Sequence, residues 1–165
     1  MKRIGLLSDT HSFVDPAIFN HFSECDEIWH AGDIGAIEVM EQLQDFKPLR
    51  GVYGNIDDHQ VRLTYPETLI FNCEGVKVLM THIAGYPGKY NPRVRSLIEE
   101  HKPKLFICGH SHILKVMPDK RYGLLHMNPG AIGNHGFHQV KTMLRFTIDG
   151  SEIKELDVIE VKRKA

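Results

Sequence analysis

The apolar positions fall into short runs whose period changes along the chain. "KRIGLLS" at 2–8 and "EIWHA" at 27–31 are brief and nearly continuous in apolar content, as strands buried on both faces are. Between them, Asp15-Pro16 supplies an N-cap and a first-turn proline and predicts a short helix through Phe22. "IEVMEQLQDF" at 37–46 puts Ile37, Met40, Leu43 and, less regularly, Phe46 on one face, which predicts an amphipathic helix. "LRGVY" at 49–53 predicts a third strand. The pattern then changes. "TLIFNCEGVKVLMTH" at 68–82 is two β-rich runs joined by Glu74-Gly75, a hairpin signal. Asn91-Pro92 opens a helix, "RVRSLIEEH", that closes before Pro103. "KLFIC" at 104–108 is another strand, and the closing "TMLRFTIDGSEIKELDVIEV" is a hairpin turned at Asp149-Gly150.

A βαβαβ start followed by a β-rich half implies an α/β (α+β) fold, a two-sheet β-sandwich flanked by helices. No linker, repeat or low-complexity segment divides the chain, so a single domain over 1–165 is expected. Its 165 residues suffice for a core without staples, and 42% are hydrophobic. A net charge of −1 gives no strong nucleic-acid signal and no field to draw an anionic membrane. The basic Lys162-Arg163-Lys164 reads as a solvated, frayed tail. Cys25, Cys73 and Cys108 form no CxxC and fit a reducing compartment. With no signal-peptide pattern and no membrane-length apolar run, a cytoplasmic location is expected.

Histidine changes the picture: there are eleven, and no tag explains them. Several stand just beyond the strand-like runs. The first run ends in Asp9-Thr10-His11, the second in Gly32-Asp33, the third in Gly54-Asn55, "VKVLMT" in His82, and "KLFIC" in Gly109-His110-Ser111-His112. Each fragment alone is weak. Ten Asp and eleven His give about 0.7 Asp-x-His by chance, and Asp57-Asp58-His59 contains one that reads as such. Five fragments, each at the carboxyl end of a strand, are not a chance pattern, because sites gather at those ends in sheets with parallel strands. Asp9, His11, Asp33, Asn55, His82, His110 and His112 are too many ligands for one tetrahedral zinc and suit two ions sharing a carboxylate. Four imidazoles favour manganese, iron, zinc, cobalt or nickel over magnesium or calcium. Two divalent ions bring +4 against −2 from the aspartates, a pocket suited to an anion, and paired metals clamp the oxygens of in-line displacement at phosphorus.

The ordered set "DTH", "GD", "GNID", "TH" and "GHSH" resembles the calcineurin-like metallophosphoesterases, and the short chain most resembles their small bacterial and archaeal phosphodiesterases. The resemblance runs from Ile4 to about Gly133 and includes "NPGAIG", similar to the family's Asn-Pro-Gly-Ser apex with Ala131 in place of serine. It implies a β-sandwich flanked by helices and two divalent transition-metal ions, Mn²⁺ foremost, with a metal-bridging hydroxide as nucleophile. It implies Asp9, His11, Asp33 and His112 on one ion, with Asp33, Asn55, His82 and His110 on the other. The larger family reads Gly-Asn-His-Asp/Glu, where this chain has Ile56 in place of the histidine that assists the leaving group. The small phosphodiesterase branch also lacks it, which points away from monoesters.

Asp57 matches the motif's acid; it and His110 are the catalytic candidates, Asp57 more as an orienting group than as an attacking one. Asn55, Tyr86, Lys89 and Tyr90 are candidate substrate contacts, the last three from the glycine- and tyrosine-rich "IAGYPGKYNPR". His30 reads as a satisfied core imidazole, His126 as a residue that could support a ligand, and His59, His135 and His138 as loop residues that could donate protons. A small phosphodiester is the expected partner, and the terminal strands could leave an edge that favours a homo-oligomer. Two rivals stand beside this reading. One is a non-catalytic scaffold on the same fold, as a retromer subunit exemplifies, although such a chain should have eroded ligands. The other is a binuclear amide hydrolase, typically built on a longer barrel.

Overall fold

The computed structural model of the protein describes residues 1–163. Strand β1 (Lys2–Leu7) leads to helix α1 (Ala17–His21), β2 (Glu27–His30), α2 (Glu38–Phe46) and β3 (Leu49–Gly51). Helix α3 (His59–Thr64) precedes β4 (Thr68–Cys73), β5 (Val76–Thr81), α4 (Pro92–His101) and β6 (Leu105–Ile107). Four strands complete the chain: β7 (Leu114–Asp119), β8 (Leu124–Pro129), β9 (Val140–Asp149) and β10 (Glu152–Lys162). They form two five-stranded mixed sheets, ordered β10-β9-β1-β2-β3 and β4-β5-β6-β8-β7. Within them β1, β2 and β3 are mutually parallel, as are β5, β6 and β8.

Alternation along the strands assigns each side chain to a layer. Leu6, Trp29, Met80, Leu105, Ile107 and Phe146 turn inward and join the two sheets in one fully or almost fully buried core. Their neighbours Leu7 and Ile28 face the other way and meet Ile18, Phe22, Met40 and Leu43 of the α1 and α2 region. On the far side, Leu79 and Phe106 pack against Val94 and Ile98 of α4. The result is helix, sheet, sheet, helix, the expected sandwich rather than a barrel. Trp29 anchors the central layer, edge-on to Phe71 and Phe146; truncating it to alanine should cost about 3–5 kcal/mol.

The expected hairpin at Glu74-Gly75 forms, pairing Cys73 with Val76, with Glu74 in the left-handed region at φ 53°. Asn91 caps α4 by accepting the Val94 amide, and Pro92 occupies its first turn. Three local details differ from expectation. Helix α1 begins one residue later, with Asp15 accepting the Ala17 amide ahead of Pro16. Helix α3 was not foreseen, because it buries only Val61 and its start depends on Asp58 accepting the Val61 amide. The basic tail is not simply solvated. Arg163 donates to the carbonyls of Asn134, Gly136 and His138, while Lys164 lies outside the described residues. No helix among the described residues is long and apolar enough to cross a membrane.

Candidate metal centre

The apices after β1, β2, β3, β5 and β6 converge at one rim of the sandwich. They bring together two groups, Asp9 with His11 and His112, and Asp33 with His82 and His110. Five of these six residues (Asp9, His11, Asp33, His110 and His112) have φ between 45° and 74°. Left-handed backbone costs a residue with a Cβ roughly 1–2 kcal/mol. Such strain persists where surrounding structure enforces it, and here it turns side chains off the strand ends into the rim.

Each carboxylate is held by one oxygen and offers the other. Asp9 Oδ2 accepts from Ser8 Oγ at 2.6 Å and from the His110 amide at 3.2 Å, which leaves Oδ1 without a partner. Asp33 Oδ1 accepts the Ile56 amide at 3.1 Å, and its Oδ2 faces His82 Nε2 at 3.2 Å and His11 Nε2 at 3.5 Å. Asp33 therefore reaches imidazoles of both groups. His82 donates from Nδ1 to the Ala31 carbonyl at 2.7 Å, which fixes the tautomer and points the Nε2 lone pair into the site. Gly54 allows this closeness, since a Cβ there would stand 2.1 Å from Asp33 Oδ1.

Do these residues fit metal ions? Asp9 Oδ1, His11 Nε2 and His82 Nε2 are buried without hydrogen-bond partners, which is costly unless something else engages them. Adjacent ligand atoms about 2.1 Å from an octahedral ion lie about 3.0 Å apart. His112 Nε2 is 3.1 Å from Asp9 Oδ1, His82 Nε2 is 3.2 Å from Asp33 Oδ2, and His110 Nδ1 is 3.0 Å from Asn55 Oδ1. The donor set, its spacing and its orphaned atoms fit two ions. Asn55 meets the second group through His110.

Electrostatics agree. Burial alone would raise the Asp9 carboxyl, but contact with His11 and His112 outweighs it and holds Asp9 well below the usual carboxylate range. His82 does the same for Asp33 against its burial. In return Asp9 raises the His11 imidazole, and Asp33 raises that of His82 against its own burial. A bound metal would take the place of the protons that these pairs otherwise share.

The remaining candidates are placed as follows. Asp57 is buried and accepts the amides of Ile34, Gly35 and Gly54, so its carboxylate ties the loop after β2 to the loop after β3. With both oxygens committed, it positions Asp33 and Asn55 and is not free to attack, which removes it from the catalytic candidates. His30 is a satisfied core imidazole. It accepts the Gly32 amide, contacts Thr10 Oγ1 at 3.1 Å, and burial lowers it to about 3. Tyr90 is not a substrate contact. It is buried under α4, its hydroxyl bonds His126 Nδ1 at 2.9 Å, and burial raises it. His126 supports Tyr90 rather than a ligand, and burial lowers it to about 4. Lys89 is exposed and lines none of the cavities described here, whereas Tyr86 lines one. His59 opens α3 away from the main cavity, while His135 and His138 line it.

That cavity, about 500 Å³, opens over both groups and is rimmed by Ile56, Ile113 and Phe137. Two supports have roles that the sequence does not specify, although "NPGAIG", His135 and His138 stand out in it. Asn128 donates to the Gly109 carbonyl and to Ser111 Oγ, bracing the loop that carries His110. The 134–138 loop lies on the first group: His135 stacks on His11 at 4.6 Å and His138 meets His112 edge-on at 5.2 Å.

Comparison with known proteins places this geometry. The calcineurin-like phosphoesterase superfamily domain matches residues 1–151. A probable metallophosphoesterase of Methanothermobacter thermautotrophicus is 30% identical over 135 residues, covering 78% of this chain and 76% of that protein. A conserved Streptococcus pneumoniae protein, described as a predicted phosphoesterase, superposes with a TM-score of 0.73 at 23% identity, covering 96% of this chain and 89% of the other. Vps29 of Entamoeba histolytica, in a zinc complex, gives 0.75 at 15% identity over 97% and 98% of the two chains, a likeness of fold. The strand ends that carry the candidate ligands lie within the matched segment, and the chain belongs to the calcineurin-like phosphoesterase superfamily.

Proposed function

We propose that the chain is a dinuclear phosphodiesterase acting on a small phosphodiester, with Mn²⁺ the first choice among Mn, Fe, Co, Ni and Zn. Family membership supports a metal-dependent phosphoesterase; preference for diesters and the count and identity of the metals are our reading. Asp9, His11 and His112 would hold one ion, Asp33, Asn55, His82 and His110 the other, with Asp33 Oδ2 within reach of both. When bound, such ions polarise phosphoryl oxygens and lower the pKa of water so that it attacks at neutral pH. The chain's own residues orient the substrate. His110 and Asn55 are exposed at the cavity wall, where they can contact a phosphoryl oxygen.

The observation that carries the diester preference is Ile56. Its amide anchors Asp33, while its side chain, 47% exposed, forms the cavity lip. Proton delivery to a leaving group contributes about 10²–10⁴-fold, and isoleucine delivers none. Aryl leaving groups need little help and alkoxides need much. The expectation is ready hydrolysis of activated aryl phosphodiesters by the metal-loaded protein, with rates falling as leaving-group pKa rises and monoesters poorer. A preference for alkyl monoesters would overturn this reading and turn attention to His135 and His138 as acids. Absence of any esterase activity in metal-loaded protein would favour the scaffold reading.

A further inference from the structure

A second cavity, about 350 Å³, lies beside the main one and shares His110, Ser111 and Ile113 with it as a common wall. His110, one of the candidate metal ligands, lines both spaces. A monoester has one carbon substituent and could fill one of them, whereas a diester has two.

The lining of the second cavity says what it would take. Ala84, Ile113 and the ring of Tyr86 give it carbon walls, with Tyr86 45% exposed. Its polar groups are mostly committed. Asn128 gives its amide hydrogens to Gly109 and Ser111 and accepts the Gly130 amide, and His126 Nδ1 is bonded to Tyr90. The exception is Lys115. Its Nζ lies 5.2 Å from the Tyr86 ring centroid and pairs with no carboxylate among the described residues. Apolar walls and an aromatic ring with a cation over it favour a planar aromatic group, which can pack against the ring and attract the ammonium. A saturated group of the same size gains neither.

We propose that this cavity is a subsite for an aromatic arm, an aryl ring or nucleobase, of the phosphodiester, with Tyr86 as its stacking face and Lys115 as its cationic edge. This rests on the diesterase reading above. Aromatic stacking and cation–π attraction together amount to roughly a tenfold preference over a saturated ring.

The test is calorimetric binding of diphenyl phosphate and dicyclohexyl phosphate to metal-loaded protein. Diphenyl phosphate should bind about tenfold tighter. Tyr86→Phe keeps the ring and should keep that gap, whereas Tyr86→Ala should shrink it below about threefold. Tyr86 is half-exposed, so neither change threatens folding. Equal affinities in wild type, or a gap that survives Tyr86→Ala, overturns the subsite. The same preparations are assayed on bis(4-nitrophenyl) phosphate to separate the two claims. Hydrolysis with equal affinities sinks the subsite alone. A Tyr86-dependent gap without hydrolysis of any diester upholds the subsite and sinks the diesterase reading.

Discussion

The two groups of the candidate metal centre each combine one aspartate with two histidines and differ in their supports. In the Asp33 group, hydrogen bonds do the holding: His82 to the Ala31 carbonyl, Asp33 to the Ile56 amide, and Asp57 to three amides behind them. In the Asp9 group the carboxylate is similarly anchored, but the imidazoles are not. The rings of His11 and His112 face the aspartates (His112 Nε2 is 3.1 Å from Asp9 Oδ1), but among the described residues neither ring has a hydrogen bond to the backbone like that of His82; His11 leans on His135 and His112 on His138. Hydrogen bonds fix a tautomer and a direction, while ring stacking fixes only a plane. The Asp33 group should thus be preorganised by the sandwich, and the Asp9 group should depend on a loop.

The largest effect should come from removing what the halves share. Asp33→Ala deletes the carboxylate oxygen that comes nearer the other group's imidazole: Asp33 Oδ2 is 3.5 Å from His11 Nε2, whereas Asp9 Oδ1 is 3.8 Å from His82 Nε2. Elemental analysis should find both ions lost and phosphoesterase activity gone, whereas His112→Ala should leave the Asp33 group loaded. Retention of one tightly held ion by Asp33→Ala would show that the halves are independent.

Next comes pH, which acts on the halves through their protons. His30 and His126 are lowered by burial to about 3 and about 4. Their unfolded forms bind protons near pH 6.5 while the folded forms do not, so each costs stability as pH falls below about 6.5. His11 and His82 are raised by their aspartates in the metal-free protein. Their contribution is complete below about pH 6.5 and is lost as pH rises through their folded values. Metal-free protein should therefore be most stable near pH 6.5, declining on both sides. Loaded protein should lose the alkaline decline and fall more steeply below about pH 6.5, because its ions hold both imidazoles unprotonated while the unfolded chain still binds those protons. Urea midpoints from pH 5 to 9 on chelated and reloaded protein test this, and a flat alkaline limb without metal would refute it.

A smaller change is expected at the cavity lip. Ile56→His leaves the amide that anchors Asp33 in place and adds a proton donor. Monoesterase activity should rise about tenfold relative to diesterase activity. An unchanged ratio in steady-state assays on paired nitrophenyl substrates would mean that proton delivery does not set the preference.

Much of this site was legible because its encoding is local. A short apolar run ending in Asp9, Asp33, Asn55, His82 or His110 states both a strand and what stands at its carboxyl end. The supports were illegible for a physical reason. Arg163 binds three backbone carbonyls about 25–29 residues earlier, and a carbonyl has no letter of its own. Tyr90 looked like a loop residue because its glycine-rich neighbours suggest exposure. Its burial depends on Phe106 and His126, which only the folded chain brings to it. Helix α3 rests on one cap and one buried valine, too little pattern to see.

Arg163 supplies the finest test of the difference between the halves. Its guanidinium holds the Asn134, Gly136 and His138 carbonyls, and so holds the loop that places His135 and His138 on the Asp9 group. Gly136 lets that loop come close: at φ 116°, a Cβ there would stand 2.4 Å from His112 Nδ1. Arg163→Ala frees three carbonyls to water at the surface, so global stability should move by only about 1 kcal/mol. The loop should loosen, and with it the planes of His11 and His112. A net loss of about 1 kcal/mol at those rings corresponds to roughly a fivefold weaker ion in the Asp9 group. The Asp33 group, held by hydrogen bonds from the sandwich, should keep its affinity. Competitive titration with a chelating dye resolves two binding steps and shows which one moves, with His112→Ala identifying the Asp9 step. Arg163→Lys, which can satisfy fewer of the carbonyls, should fall between. Equal weakening of both steps would mean that the loop supports the whole centre, and no weakening of either would mean that stacking contributes nothing to holding the Asp9 group.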